Sequence, residues 1–255
     1  MIKVARDAWL IFQREVDLML HNPVALAFSL AQPITYLVLF APFLREAMSG
    51  QGATSYADAY RIYVPGLFGA MGLFGGLFAG YALLYAIRAG IIDRCRVTPL
   101  SRTGLLLGRA MRDVATIVLQ AVIITIAALP FGLRVGLGYL LLSYVLLAVM
   151  ALLATALSYG LAMLVRNENS LGSIVNTVGQ PVSLLAGVLI PLALAPLWMQ
   201  KVALWNPFAW ATSGLRALFN EDLADPVVWQ SLAISTVLML GAVVWTARQF
   251  GRDVR

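Results

Sequence analysis

The stretch IPLALAPLWMQKVALWNPFAWATSGLRALFNEDLAD, Ile190 to Asp225, decides how this chain is read. Its apolar run stops at Pro191 and Pro196, continues as a Trp-rich amphipathic segment, breaks at Asn206-Pro207 and resumes as Phe208 to Asn220. A bilayer core about 30 Å thick takes about 20 apolar helical residues to cross. Proline removes a backbone donor and interrupts a helix, so Pro196 and Pro207 leave pieces too short to span. The stretch nevertheless lies between two long apolar runs. It is expected to dip into one face of a membrane and return. Irregular backbone persists at that depth only where protein or a water-filled cavity surrounds it. Such a break points to a pathway across the bilayer, and transport becomes the first function class to weigh.

Outward from that stretch, the 255 residues are 61% hydrophobic and only 12% charged, against roughly 25% charged in a soluble domain. Apolar runs give six expected spans, at 23–43, 62–87, 105–131, 137–164, 170–191 and 227–247. The run at 137–164 is read as one long tilted helix, because two helices and a turn need more residues. The expected fold is an all-helical integral membrane unit over 1–255. It has an amphipathic interfacial helix at 1–22, a cytoplasmic loop at 88–103 carrying a short helix, and an external re-entrant helical hairpin at 192–225.

An even number of spans puts both termini on one side, and the arginines choose it. Of the 18 Lys and Arg, only Arg45, Arg61, Arg134, Lys201 and Arg216 fall in segments on the opposite side from the termini. The positive-inside rule therefore places both termini in the cytoplasm. The net charge of +6 is a topology signal. Nucleic-acid binding is excluded, since no soluble surface is long enough to carry the basic residues.

Residues 1–20 are not read as a cleavable signal peptide, because Asp7, Glu15 and Asp17 interrupt the apolar stretch. Val4, Ala8, Ile11, Phe12, Val16 and Met19 share a helical face. Lys3, Arg6, Asp7, Gln13, Arg14 and Asp17 are expected opposite, as in a helix lying in the membrane interface or docking a cytoplasmic partner. Cys95 is the only cysteine and His21 the only histidine, so no disulfide and no metal site is expected. Nucleophile, paired-carboxylate and HExxH patterns are all absent, which argues against an enzyme. No lysine follows the glycine that a P-loop requires: Lys3 and Lys201 follow Ile2 and Gln200. The apolar runs hold no midplane ionisable group, so the driving energy comes from elsewhere or the flow is passive.

Three patterns inside the chain carry further expectations. Gly72, Gly76 and Gly80 repeat at i+4, a spacing that lets helices approach closely, either as static packing or as a sliding contact. Arg109 and Asp113 share a face at i, i+4 and are expected to lie at the inner headgroup level and snorkel, or to form a gating pair. Span five carries a polar stripe, Ser173, Thr177 and Gln180 with Asn176 adjacent, and span one a weaker set, Ser29, Gln32 and Tyr36. These hydroxyl and amide groups either line a pathway for an amphiphilic cargo or hydrogen-bond between helices. Lys201 and Arg216 are expected to orient the external hairpin rather than to bind cargo.

The loop RAGIIDRCRVTPLSRTGLLLGR, from Arg88 to Arg109, has room for two helical turns over Ile91 to Val97 before Thr98-Pro99 ends them. From physics alone its Asp93, Arg94 and Arg96 serve equally as contacts for a soluble partner or as a basic patch for anionic lipid. This loop, the His21-Asn22-Pro23 start of span one, and Trp205-Asn206-Pro207 followed by Arg216 in the hairpin resemble the ABC-2 type permeases, especially their daunorubicin/doxorubicin-resistance branch. One departure is that family loops often carry E-x-G where this chain has Arg88-Ala89-Gly90.

The resemblance implies a half-transporter in which two permease chains, identical or paralogous, assemble with two cytoplasmic ABC ATPase subunits. ATP and Mg are then held by those ATPases, and this chain binds no cofactor itself. It implies coupling to the ATPase through Gly90, Asp93, Arg94 and Arg96, and an external gate formed by Trp205, Asn206, Pro207 and Arg216. The expected activity is ATP-driven export of hydrophobic or amphiphilic compounds such as antibiotics across a bacterial plasma membrane. A polysaccharide or lipid-linked glycan exporter of the same fold is the alternative within the class. Outside it, a secondary transporter or channel would need a midplane ionisable site or an inverted repeat.

Overall fold

A computed structural model describes residues 2–21, 23–47, 56–90, 101–188 and 191–252. The proposed coupling residues Asp93, Arg94 and Arg96, with Cys95, lie outside the described residues, as does Asn22. Helix α1 covers Ile2–Leu20, α2 Pro23–Ala47, α3 Tyr56–Arg88, α4 Arg102–Ala128, α5 Leu137–Val165 and α6 Glu168–Leu185. The hairpin supplies α7, Leu197–Ala203, and α8, Pro207–Phe219, and α9 runs Pro226–Arg252. Single 3-10 turns stand at Leu129–Phe131 and Leu192–Leu194, and no strand occurs among the described residues.

Among the described residues, four segments are long and apolar enough to cross a membrane: Tyr56–Arg88, Thr103–Phe131, Leu137–Val165 and Pro226–Phe250. The remaining two expected spans are less plain. The apolar stretch described in α2 is Ala27–Leu39. Helix α6 stops at Leu185 rather than at 191, with Gly187 at φ 65° in the turn that follows. Its 18 residues rise about 27 Å, close to the hydrocarbon thickness, but Asn176, Gln180 and Pro181 interrupt its apolar run.

Helices α3 and α5 form the centre, with 61% and 50% of their apolar windows buried against 28% for Thr103–Phe131 and 22% for Pro226–Phe250. Glycine makes that pairing possible. An added Cβ at Gly76 would lie 2.5 Å from Ala154 Cβ and 2.8 Å from Ala151 O, so the α3 backbone rests directly on the α5 backbone and the Ala154 methyl group. Gly80 donates its N–H to Ser158 Oγ at 3.1 Å. The same Ser158 hydroxyl donates to the carbonyl of Leu77. Helix α9 packs on the far side of α5, α1 lies along α4, α2 rests on α3 and α4, and α6 rests mainly on α3. Helix α8 wedges among α3, α5 and α9.

The sequence places the ends. Asn167 caps α6 by accepting from the N–H groups of Asn169 and Ser170 at 2.9 and 3.4 Å, and Ser101 caps α4 by accepting from Gly104 at 3.2 Å. Each cap satisfies donors that a helix start leaves without partners. Pro207 stands in the first turn of α8, where its missing N–H costs nothing. Gly90 closes α3 with φ 67° and an N–H to Ile87 O of 3.1 Å, a left-handed end that favours glycine. Two ends of the bundle result. One holds α1, the end of α3, the start of α4, the end of α5 and the start of α6; the other holds the α7–α8 hairpin.

Candidate functional site

At the α1 end of the bundle, charged side chains meet between helices. Glu15 of α1 lies 3.6 Å from both Arg109 Nε and Arg112 Nη2 of α4. Arg112 Nη1 approaches Asp113 Oδ1 at 2.9 Å, and Tyr159 of α5 donates its hydroxyl to Asp113 Oδ2 at 2.6 Å. Asp113 is only 8% exposed, and a carboxylate so buried persists through such partners. One network thus ties α1, α4 and α5. Nearby, Arg88 of α3 donates to Glu168 Oε1 and to the carbonyl of Arg166, each at 3.2 Å, which pins the α5–α6 turn.

Two expectations change here. Arg109 and Asp113 do not snorkel, because α1 brings Glu15 to Arg109 and Asp113 turns inward to Arg112 and Tyr159. Asp7 belongs to the buried face of α1, at 2% exposed, where it accepts the Ser101 N–H at 2.8 Å. That backbone donor precedes the first turn of α4 and needs an acceptor, so the acid is drawn inward. Ala8 and Ile11 are buried as expected, while Val4, Phe12, Val16 and Met19 are partly buried. His21 Nδ1 sits 2.7 Å from the carbonyl of Asp17, a local contact at the end of α1.

At the other end, the hairpin is tied to the end of α6. Asn206 accepts from Phe208 N at 3.1 Å, capping α8, and its amide donates to Val182 O at 2.8 Å. Arg216 donates through Nη2 to Gly187 O. Arg216 therefore reaches a backbone carbonyl inside the protein, whereas Lys201 and Trp205 are exposed, the latter by 91%. Trp210 Nε1 donates to Leu204 O at 2.9 Å across the α7–α8 joint.

The polar sets on α2 and α6 face outward and make no extended contact with each other. Ser173 donates to Asn169 O at 3.0 Å and Asn176 to Gly172 O at 2.9 Å, both within α6, while Thr177 and Gln180 are exposed. On α2, Ser29 accepts from Gln120 Nε2 of α4 at 2.8 Å, and Gln32 Nε2 lies 3.5 Å from the Tyr36 hydroxyl. Helix α2 packs on α3 and α4, and α6 on α3 and α5. Glu15, Gln120, Tyr159 and Glu168 were not singled out from the sequence. The signal for Glu15 was its spacing, since it follows Ala8 and Ile11 at +7 and +4 on the apolar face.

Residues 6–220 match the model of the family described as ABC-2 type transporter. The chain belongs to the ABC-2 type transporter family. As an ABC-2 chain it carries the matched region over α1 to α8, so both the charged network and the hairpin lie within it and only α9 follows. Relatives include the transport permease ycf38 of Porphyra purpurea, 24% identical over 230 residues, covering 86% of this chain and 78% of that one. The ycf38 permease of Cyanophora paradoxa is 22% identical, over 79% of this chain and 70% of its own. The daunorubicin resistance ABC transporter permease protein DrrB1 of Streptomyces coeruleorubidus is 22% identical, over 78% and 70%. Among the described residues, no group of three or more His, Cys, Asp or Glu is placed to hold a metal ion.

Proposed function

We propose that the chain is the permease subunit of an ATP-driven exporter that moves hydrophobic or amphiphilic compounds, such as antibiotics, across a bacterial plasma membrane. Membership of the ABC-2 family over residues 6–220 carries this reading. The sequence lacks a P-loop, so ATP and Mg are assigned to a separate cytoplasmic ABC ATPase in two copies. A second permease chain, identical or paralogous, completes the transporter. Helices α2 and α6 join the four long apolar helices to make six spans, with both termini in the cytoplasm.

In this reading Gly90, Asp93, Arg94 and Arg96 couple to the ATPase. Ser29, Gln32 and Tyr36 with Ser173, Asn176, Thr177 and Gln180 line the pathway, and the hairpin residues Trp205, Asn206, Pro207 and Arg216 form the external gate. The outward exposure of both polar sets supports a pathway completed by the second chain. The cargo class is supported by the relative named for daunorubicin resistance and by the uncharged hydroxyls and amides of the stripe.

Reconstitution tests it. Proteoliposomes holding this chain with its ATPase are expected to move a hydrophobic fluorescent cation only with ATP and Mg present. Equal transport by the chain alone in liposomes would sink the reading.

A further inference from the structure

A cavity of about 470 Å³ opens beside the charged network, between α1, α3, α4 and α5, within the size range of small-molecule sites. It is lined by Arg14, Arg109 and Arg112, by the carboxylates of Glu15, Asp113 and Glu168, and on an apolar side by side chains that include Leu18 and Tyr85. Leu18 and Tyr85 are 55% and 67% exposed, so the apolar wall runs out to the surface of the bundle.

The charges leave a cation over. Glu15 is shared by Arg109 and Arg112, Asp113 is taken by Arg112 and Tyr159, and Glu168 by Arg88. Arg14 makes no ion pair among the described residues; three arginines and three carboxylates line the cavity, but Arg88, outside the lining, takes Glu168, which leaves Arg14 over. Hydrogen bonding is short of acceptors as well. Arg109 Nε stands 3.6 Å from Glu15, beyond hydrogen-bond range, and the Nε atoms of both Arg109 and Arg112 are buried with no hydrogen-bond partner. Buried donors without acceptors are costly, and guanidinium groups match oxyanions in geometry.

We propose that this cavity binds an amphiphile from the adjoining leaflet whose phosphate headgroup carries net negative charge. The anion lies among Arg14, Arg109 and Arg112, and the apolar stem leaves along Leu18 and Tyr85. The site requires only that the chain sits in a bilayer, so it stands apart from ATP-driven export and from the choice of cargo.

The test uses the purified full chain in neutral detergent, titrated with short-chain phosphatidylglycerol, the matching phosphatidylcholine, and inorganic phosphate, with bound lipid counted by native mass spectrometry. Phosphatidylglycerol is expected to bind at least tenfold more tightly than phosphatidylcholine. Arg14→Gln and Arg109→Gln should each weaken it about fivefold or more, while Arg6→Gln, exposed on the same helix outside the cavity, leaves it unchanged. Arg14 is exposed, so its variant keeps the test valid if Arg109→Gln fails to fold. Equal binding of the two lipids, or phosphatidylglycerol binding untouched by Arg14→Gln, overturns the site. Inorganic phosphate that displaces the lipid at equal concentration overturns the assignment to an amphiphile.

Discussion

Adding one methyl group at Gly76 tests whether the centre of the bundle is held by backbone contact between α3 and α5. The new Cβ would stand 2.5 Å from Ala154 Cβ, 2.8 Å from Ala151 O and 2.9 Å from Thr155 N. Carbon atoms pack best at about 3.5 to 4.0 Å, so the helices must part by roughly 1 Å or more. Two of the three neighbours are backbone atoms and no rotamer change relieves them. Overpacking of this kind costs about 1 to 3 kcal/mol. A cost of about 2 kcal/mol lowers the folding equilibrium constant by about thirtyfold, at tenfold per 1.4 kcal/mol.

Position within the glycine series fixes the rank order. At Gly72 the nearest atoms are Leu147 Cδ1 at 3.0 Å and Met150 Sδ at 3.3 Å, both ends of flexible side chains, so Gly72→Ala costs about 1 kcal/mol or less. At Gly80 the added Cβ would run into Ser158 Oγ and the Ser158 carbonyl, which also breaks the Gly80 N–H bond, so Gly80→Ala costs at least as much as Gly76→Ala. Gly241 of α9 has nothing within 4 Å, and Gly241→Ala should be neutral or gain up to about 1 kcal/mol from helix propensity. The assay is reversible unfolding in mixed micelles followed by circular dichroism. If Gly76→Ala proves as stable as Gly241→Ala, the contact is loose and the reasoning fails. Such a result combined with lost transport would favour the sliding contact over static packing.

Three further outcomes are expected. In a double-mutant cycle, Tyr159→Phe and Asp113→Asn should show a coupling of about 1.5 to 3 kcal/mol in the same unfolding assay, as for hydrogen bonds to charged groups; a coupling near zero removes the bond from the account. Asn206→Ala should cost about 1 to 2 kcal/mol and speed amide exchange at Phe208, whose N–H it accepts at 3.1 Å; unchanged exchange would mean the cap is not formed. Reversing charge at Asp93 and Arg94 together should separate ATP hydrolysis from export in the reconstituted complex while leaving membrane insertion intact, and unchanged coupling would leave that loop as a lipid contact only.

The breaks of the hairpin were legible because proline acts locally. Pro196 and Pro207 immediately precede or open α7 and α8, and no tertiary neighbour can restore the donor that proline lacks. The glycine repeat was legible as a close approach, but its partner was not, since nothing in Gly76 or Gly80 names Ala154 or Ser158. Polarity sorting failed at Asp7 for a physical reason. It assumes every acid faces water, whereas a helix start 94 residues away in sequence, at Ser101, supplied an N–H that needed an acceptor. The partners of Arg109 and Asp113 were not legible either, because i, i+4 spacing sees one helix only and Glu15 arrived on another.

Helix α6 draws these observations together. Its buried residues, Leu171, Val175, Gly179 and Ser183, fall at successive i+4 positions, so a single narrow strip holds it against the rest of the chain. The polar stripe lies off that strip and is exposed. Its two ends are fastened by hydrogen bonds: Arg88 holds Glu168 and the Arg166 carbonyl at one, and Asn206 and Arg216 take the carbonyls of Val182 and Gly187 at the other. The second pair of bonds belongs to the hairpin. A displacement of α6 along its own strip therefore pulls directly on the capping residue of α8 and on the arginine near its end. Helix α8 is wedged among α3, α5 and α9, so such a displacement must either break the two carbonyl bonds or carry the hairpin with it. Gly187 and Asn206 are buried and Arg216 Nε already lacks a hydrogen-bond partner, so breaking these bonds would strand buried donors, and carrying the hairpin along is the less costly course. The two bonds thus tie the hairpin to α6, so that a shift of either is transmitted to the other.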